Sequence, residues 1–476
     1  WGVMAGALLD MSGLYRRISG DTTGQWPRQD ADAPPMSAPM RFSPLRAIVR
    51  ALPAACLTLA IPVPAATGSE SLTTLADQFV PLVLEIGTYE PDYVDAYIGP
   101  AELRTKAQAS PRTRPALQKA AESAVKQLDR QIIPKLTDPL LVARARALRG
   151  FYQAAATRLA MIGGKRFPFD VEAQGLFALR PALKPLTHYD AVLARLEKLV
   201  PGSGSLAERV DAYNDRFIVP KDRLRPVMEA AIAQCRRATL AHFDLPKEES
   251  FTLEFVTGKS WSGYNYYQGN YHSLIQVNTD LPVRIGRAVD LGCHEGYPGH
   301  HVLNIMIEQK LVRQLGWKEY LVNPLYAPQS LISEGSANYG IELAFPGEEQ
   351  LAFERDTLFP LAGLDPAQAK AFWDVRLAVS ELTGSRMTIS KLYLDGKIDR
   401  ETALDYLQKY QLTTRTRAEQ SLAFTDQYRS YVINYYIGME IVRAYVERGN
   451  PDVQTRWAGM EQGLSGTMLP ADLIGQ

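Results

Sequence analysis

Apolar residues recur at three- and four-residue intervals along most of the chain, the period of a helix with one buried face. SLTTLADQFVPLVLEIG (71–87), RPALQKAAESAVKQLDRQI (114–132) and DPLLVARARALRGFYQAAATRLA (138–160) carry this pattern in the first half. HYDAVLARLEKLV (188–200), LRPVMEAAIAQCRRATLAHF (224–243), ETALDYLQKYQ (401–411) and SYVINYYIGMEIVRAYVERG (430–449) carry it further on. Pro and Gly clusters such as IGPAEL, MIGGKRFPF and LVPGSGSL separate these stretches. One region has a different rhythm. FTLEFVTGKSWSGYNYYQGNYHSLIQVNTDLPV (251–283) is rich in Tyr, Phe, Val and Thr, punctuated by Gly and Asn, and predicts two or three short strands. No fixed-period repeat appears, which argues against a solenoid. The expected fold is mainly α, one large helical domain with a small antiparallel sheet.

Composition adds few constraints. Of 476 residues, 46% are hydrophobic, a globular balance. Lys plus Arg and Asp plus Glu each number 52, so no basic excess favours nucleic acid, and a peptide or small amide is the expected partner. Oligomeric state leaves no mark in the sequence.

The N-terminal text divides into three. Residues 1–39 read as a leader or disordered extension, and 40–66 as a signal peptide. Arg41, Arg46 and Arg50 form its basic start, ALPAACLTLAIPV its apolar stretch, and Pro64-Ala65-Ala66 a small-residue exit. Residues 67–476 are then the helical domain, expected in the periplasm or secreted, and no later segment is apolar for long enough to span a membrane. Cys56 would leave with the signal peptide. Cys235 and Cys293 remain, able to pair only if the fold brings them together. For Cys293 a packing role is expected.

The chemistry concentrates in CHEGYPGHH (293–301), which holds three of the six histidines. Catalytic zinc is commonly held by three protein groups, with a glutamate nearby as general base. In H-E-x-x-H the two histidines share a helix face at i and i+4. Here Pro298 occupies i+4 from His294. On a regular helix His300 would sit about 120° round from His294, and His301 on nearly the same face but roughly 10 Å along the axis. Proline removes a helical hydrogen bond and glycine relaxes the backbone, so a bulge at Pro298-Gly299 would swing His300 into place. His301 remains the alternative. LISEGSANYGIELAF (331–345) predicts a half-buried helix that supplies Glu334 as third ligand, with Glu342 as a supporting group behind it.

HEGYPGHH followed by SEGSANY resembles the bacterial family known as domain of unknown function 885, with its H-E-x-x-P-G-H-H and E-G-W-A-x-Y elements. EPDYVDAYIGPAELR (90–104) resembles the N-terminal part of that family, so the likeness runs through most of the domain. The resemblance implies a gluzincin-like metallopeptidase: a helical, zincin-like domain with a small sheet over the active-site helix. It implies Zn2+ held by His294, His300 and Glu334, with Glu295 as base. A Tyr-x-x-Gly element implies Tyr435 as oxyanion donor, with Tyr436 beside it as a competitor. Ser336 stands where the family has tryptophan, Asn338 where it has an aliphatic residue, and VSELTGSRM (379–387) where it has Asp-x-Gly-x-His. These departures fall on the pocket and bear on substrate.

The expected function is an exported zinc peptidase. The alternatives are a zinc hydrolase of a non-peptide amide or ester, and a non-catalytic metal- or peptide-binding protein on the same fold.

Overall fold

The computed structural model describes residues 68–259, 261–464 and 466–475. The expected leader and signal peptide lie outside them. Helices occupy most of the chain, and the periodic stretches fall on them: Gly68–Ile86, Arg114–Gln127, Pro139–Ile162, Asp190–Leu199, Lys221–Leu240, Arg400–Gln411 and Ile433–Val446. Local chemistry sets their ends. Asp138 caps the Pro139–Ile162 helix by accepting from Leu140 N at 2.8 Å, with Pro139 in the first turn, where its missing N–H costs nothing. Ser205 and Glu208 form a reciprocal capping box on Leu206–Asp215.

The strand-rich segment forms three strands, β2 (Ser250–Val256), β3 (Gly263–Gly269) and β4 (His272–Asn278). Their order is β2-β4-β3, with β3 antiparallel to β4 but β2 parallel to it. The expected antiparallel sheet is therefore mixed. The tight β3–β4 connection makes a hairpin, and the longer link from β2 carries the chain past β4 before it turns back. Two shorter strands, β1 (Val94–Tyr97) and β5 (Val322–Pro324), pair antiparallel beside it.

The main core runs through nearly the whole described chain and packs Phe79, Tyr152, Phe177, Tyr326 and Trp457. A smaller cluster around Leu196, Val375, Ile389, Leu404 and Leu422 lies among the later helices. Two helices of the main core cross unusually closely. A Cβ on Gly335 would meet the Gly438 carbonyl carbon at 2.3 Å, and one on Gly438 would meet Leu331 O at 2.4 Å. Only paired glycines let Pro328–Ala344 and Ile433–Val446 touch backbone to backbone. That crossing sets Glu334 beside the tyrosines of the later helix. Among the described residues, no helix is long and apolar enough to cross a membrane.

Candidate metal centre

The helix Gly286–Leu291 widens into a π-turn at Gly292–Gly296, which presents His294 and Glu295, both nearly fully buried. The chain then leaves the helix. Tyr297 is extended, the Tyr297–Pro298 peptide is cis, and a new helix starts at His300. A continuous bulged helix was expected at Pro298-Gly299; the structure has a break there, and the widening lies one turn earlier. Gly299 is held by its N–H donating to Cys293 O at 3.0 Å. A Cβ there would lie 1.9 Å from His294 O. The turn closes only over a residue without a side chain.

The break brings His300 to His294. Their Nε2 atoms lie 3.1 Å apart, and Glu334 Oε2 lies 3.4 Å from His294 Nε2 and 3.8 Å from His300 Nε2. Among the described residues these three side chains are the group placed to hold one metal ion. A tetrahedral zinc with bonds of about 2.0–2.1 Å needs ligand atoms about 3.3 Å apart. The three separations bracket that value. Glu334 Oε2 is buried and has no hydrogen-bond partner, which is costly unless a cation takes it.

The groups behind the three side chains aim them. Asn338 donates from Nδ2 to Tyr435 O at 3.2 Å, which leaves its Oδ1 facing His294 Nδ1 at 3.0 Å. An acceptor there requires Nδ1 to carry the proton, so the Nε2 lone pair is free. Ser333 Oγ lies 3.2 Å from His300 Nδ1, within reach to accept from it and hold that ring in place. Tyr431 OH donates to Glu334 Oε1 at 3.2 Å. Sequence reasoning missed Ser333 and Tyr431 and read Asn338 only as a changed pocket wall. The signal available was spacing, since Asn338 is one helical turn from Glu334. Glu342 does not take the supporting role expected of it; Arg443 Nε donates to its Oε2 at 3.0 Å.

His301 lies elsewhere. Fully buried, it has Nε2 3.1 Å from Glu249 Oε2 and Nδ1 2.8 Å from Ser273 Oγ. Tyr297 OH also donates to Glu249 Oε2, at 2.5 Å. Both His301 nitrogens are occupied by the packing between the sheet and the turn.

Burial acts on each titrating group. It pulls the His300 imidazole down to about 4, with the neighbouring His294 adding to the effect. It also pulls His294 down, but the close contact with Glu334 and the charges of Glu295 and Glu334 lift that ring above an ordinary histidine. Burial would raise Glu334, yet contact with His294 and His300 holds it below the usual carboxylate range. The Glu295 carboxyl is pushed up to about 7, by burial first and then by Glu334 and Asp95, against the opposing charges of His294 and Arg287. Strand β3 covers this glutamate, and Asn265 Nδ2 donates to Glu295 O at 2.7 Å. The β3 edge away from β4 has no strand partner among the described residues.

Burial raises both tyrosines; beyond it, Tyr435 feels the charges of Glu334, Arg386 and Glu295, and Tyr436 those of Glu440 and Arg443. The Tyr435 ring packs against Tyr431 at 5.8 Å, and Tyr431 is the residue that donates to Glu334. The second cysteine expectation is corrected: Cys293 is bonded to Cys235, with a Cα–Cα distance of 5.4 Å. The disulfide fastens the His294 turn to the Lys221–Leu240 helix.

No protein-family model matches the chain, so membership of the domain-of-unknown-function 885 family is not established. No curated protein matches it either. Among solved structures the chain is similar to a candidate lipoprotein from Colwellia psychrerythraea, at 16% identity and a TM-score of 0.43, over 87% of this chain and 77% of that one. It is also similar to an M32 carboxypeptidase from Deinococcus radiodurans R1, at 15% identity and a TM-score of 0.35, over 86% and 95%. Neither likeness is close enough to carry a function across.

Proposed function

We propose that the chain is an exported zinc-dependent peptidase, with His294, His300 and Glu334 as metal ligands, Glu295 as general base and Tyr435 as oxyanion donor. The observation that carries this reading is the convergence of two histidine Nε2 atoms and an unpartnered, buried glutamate oxygen, each backed by a hydrogen bond on its far side. Two nitrogens and one oxygen form a donor set suited to catalytic zinc, with room for a fourth ligand. Bound there, zinc would supply a Lewis acid that polarises a carbonyl and makes water more acidic.

The chain's own residues do the rest. Glu295 follows His294 directly and takes a proton from the attacking water, then passes it to the leaving amine. Its burial under β3 keeps that carboxylate poorly solvated, which favours proton uptake. The Tyr435 hydroxyl stays protonated because burial holds it well above the ordinary phenol range, so it acts as a donor to developing negative charge. The free β3 edge suits an extended peptide, which would add main-chain hydrogen bonds there. The buried disulfide supports an oxidising compartment, in keeping with export.

The test is hydrolysis of a mixed peptide library by zinc-loaded protein, read by mass spectrometry beside Glu295→Gln. Cleavage at peptide bonds that Glu295→Gln abolishes, with metal content unchanged, is the expected result. Hydrolysis of simple esters or non-peptide amides only would replace the peptidase reading. Peptide turnover unaffected by Glu295→Gln would remove Glu295 from the chemistry.

A further inference from the structure

Arg386 is the anomaly of the fold. It lies on the helix Ser385–Leu394 and is 3% exposed, yet its Nε and Nη2 are buried without a hydrogen-bond partner. Other buried arginines have carboxylates. Arg144 meets Glu319 at 2.6 Å, and Arg376 meets Glu354 at 2.7 Å. A buried guanidinium left unpaired is costly, and an anion that pairs with it would remove that cost.

Its position says which anion. The Arg386 guanidinium packs over the Phe424 ring at 5.1 Å. From Phe424 a ladder of rings runs to Tyr428 at 4.5 Å, Tyr431 at 6.1 Å and Tyr435 at 5.8 Å. Tyr431, the third ring, donates to Glu334 Oε1, so the ladder touches the metal group there. The charge of Arg386 lowers the Tyr435 hydroxyl while those of Glu334 and Glu295 raise it. Burial draws the arginine down to about 10, which still leaves it protonated at neutral pH.

We propose that Arg386 is a carboxylate-recognition residue of this site, pairing with a substrate carboxylate at the Phe424 end of the ring ladder that leads to Tyr431 and Tyr435. This deepens the peptidase reading and rests on it for the substrate's identity. Guanidinium binds carboxylate through two parallel N–H···O bonds, and Nε with Nη2 is one of the two edges able to do so. Successive residues of an extended peptide are about 3.5 Å apart, so an anchored carboxylate fixes which bond meets the metal group. The carboxylate is either the peptide's C-terminus or an acidic side chain. The first makes the enzyme a remover of C-terminal residues, and the second gives it a preference for acidic residues near the cut.

The test uses the full zinc-loaded chain and four peptides of one sequence: free C-terminus or C-terminal amide, each with glutamate or glutamine just beyond the cut. The preferred carboxylate peptide should exceed its neutral counterpart about 100-fold in kcat/KM. Arg386→Gln should erase the preference, and Arg386→Lys should restore it in part. A gap between acid and amide assigns the terminus, and a gap between glutamate and glutamine assigns the side chain. Equal cleavage of all four, or a preference that survives Arg386→Gln, overturns the proposal.

Calorimetry with N-benzoylglycine against its amide needs no turnover. Binding of the acid that Arg386→Gln abolishes supports the site even if no peptide is cut, in which case only the peptidase reading fails. Binding lost in His294→Ala but kept in Arg386→Gln would put the carboxylate on the metal and overturn the proposal. Because the arginine is unpaired, Arg386→Gln should melt at or above the wild-type temperature; a fall of several degrees marks a structural residue and also overturns it.

Discussion

Replacing Gly299 by alanine tests how the metal group is assembled. The added Cβ would lie 1.9 Å from His294 O and 2.5 Å from Cys293 O, where Cβ atoms do not come closer than 3.0 Å. Both obstacles are backbone atoms, so the peptide that carries His294 must move by about 1.1 Å. A shift of that size is a third of the 3.1 Å separating the two histidine nitrogens. Overpacking of this kind costs about 1–3 kcal/mol of stability, and a displacement near 1 Å costs roughly 100-fold in a positioned site. Gly296→Ala is the control on the same turn, since its Cβ would find nothing nearer than 3.8 Å. Zinc affinity by competition with a chromophoric chelator, with melting curves alongside, reads both effects. The expected result is a loss of roughly 100-fold in affinity for Gly299→Ala and little change for Gly296→Ala. Wild-type affinity and melting temperature in Gly299→Ala would refute the reasoning that this turn sets the ligand geometry.

Asn338→Ala should weaken zinc binding by about 10–100-fold, because the His294 ring loses its orienting acceptor; Glu342→Gln should leave it unchanged, and the same chelator competition checks both. Cys235→Ser opens a crosslink between residues 58 apart, which chain entropy values at about 4 kcal/mol; urea melts that coincide with those of the wild type would contradict this. Glu249 gives a pH dependence. Burial raises its carboxyl, but contacts with His301, Tyr297 and Arg236 outweigh this and hold it at about 2, against 4.5 when unfolded. A lowered folded value stabilises fully above pH 4.5, and the contribution is lost as pH falls through the window toward 2, about 3 kcal/mol in all. Glu249→Gln should therefore melt lower at pH 7 and lose less between pH 5 and 3; parallel pH profiles for the two proteins would rule the linkage out.

The helices were legible because their apolar spacing reflects a buried face, and the Ser250–Asn278 strands because their residue types break that spacing. Strand pairing was not legible. That β2 runs parallel to β4 depends on the path of the connection, and β1 and β5, of four and three residues, are too short to signal themselves. At the site, His294, His300 and Glu334 were named from spacing and residue type. The means that joins them was not, because a helix break and a bulge leave the same Pro-Gly trace. Asn338, Ser333 and Tyr431 act through contacts between helices distant in sequence, and the Cys235–Cys293 bond depends on Lys221–Leu240 packing against the turn. Arg386 shows least of all. On paper it is one arginine among many, and only its lack of a partner in the folded chain sets it apart.

The most direct test of the central claim is metal content by elemental analysis of the purified zinc-treated protein, beside His294→Ala, His300→Ala, Glu334→Gln and His301→Ala. The account predicts one zinc per chain in the wild type and in folded His301→Ala, and loss in the other three. Absence of metal from the wild type, or retention in His300→Ala with loss in His301→Ala, would contradict it.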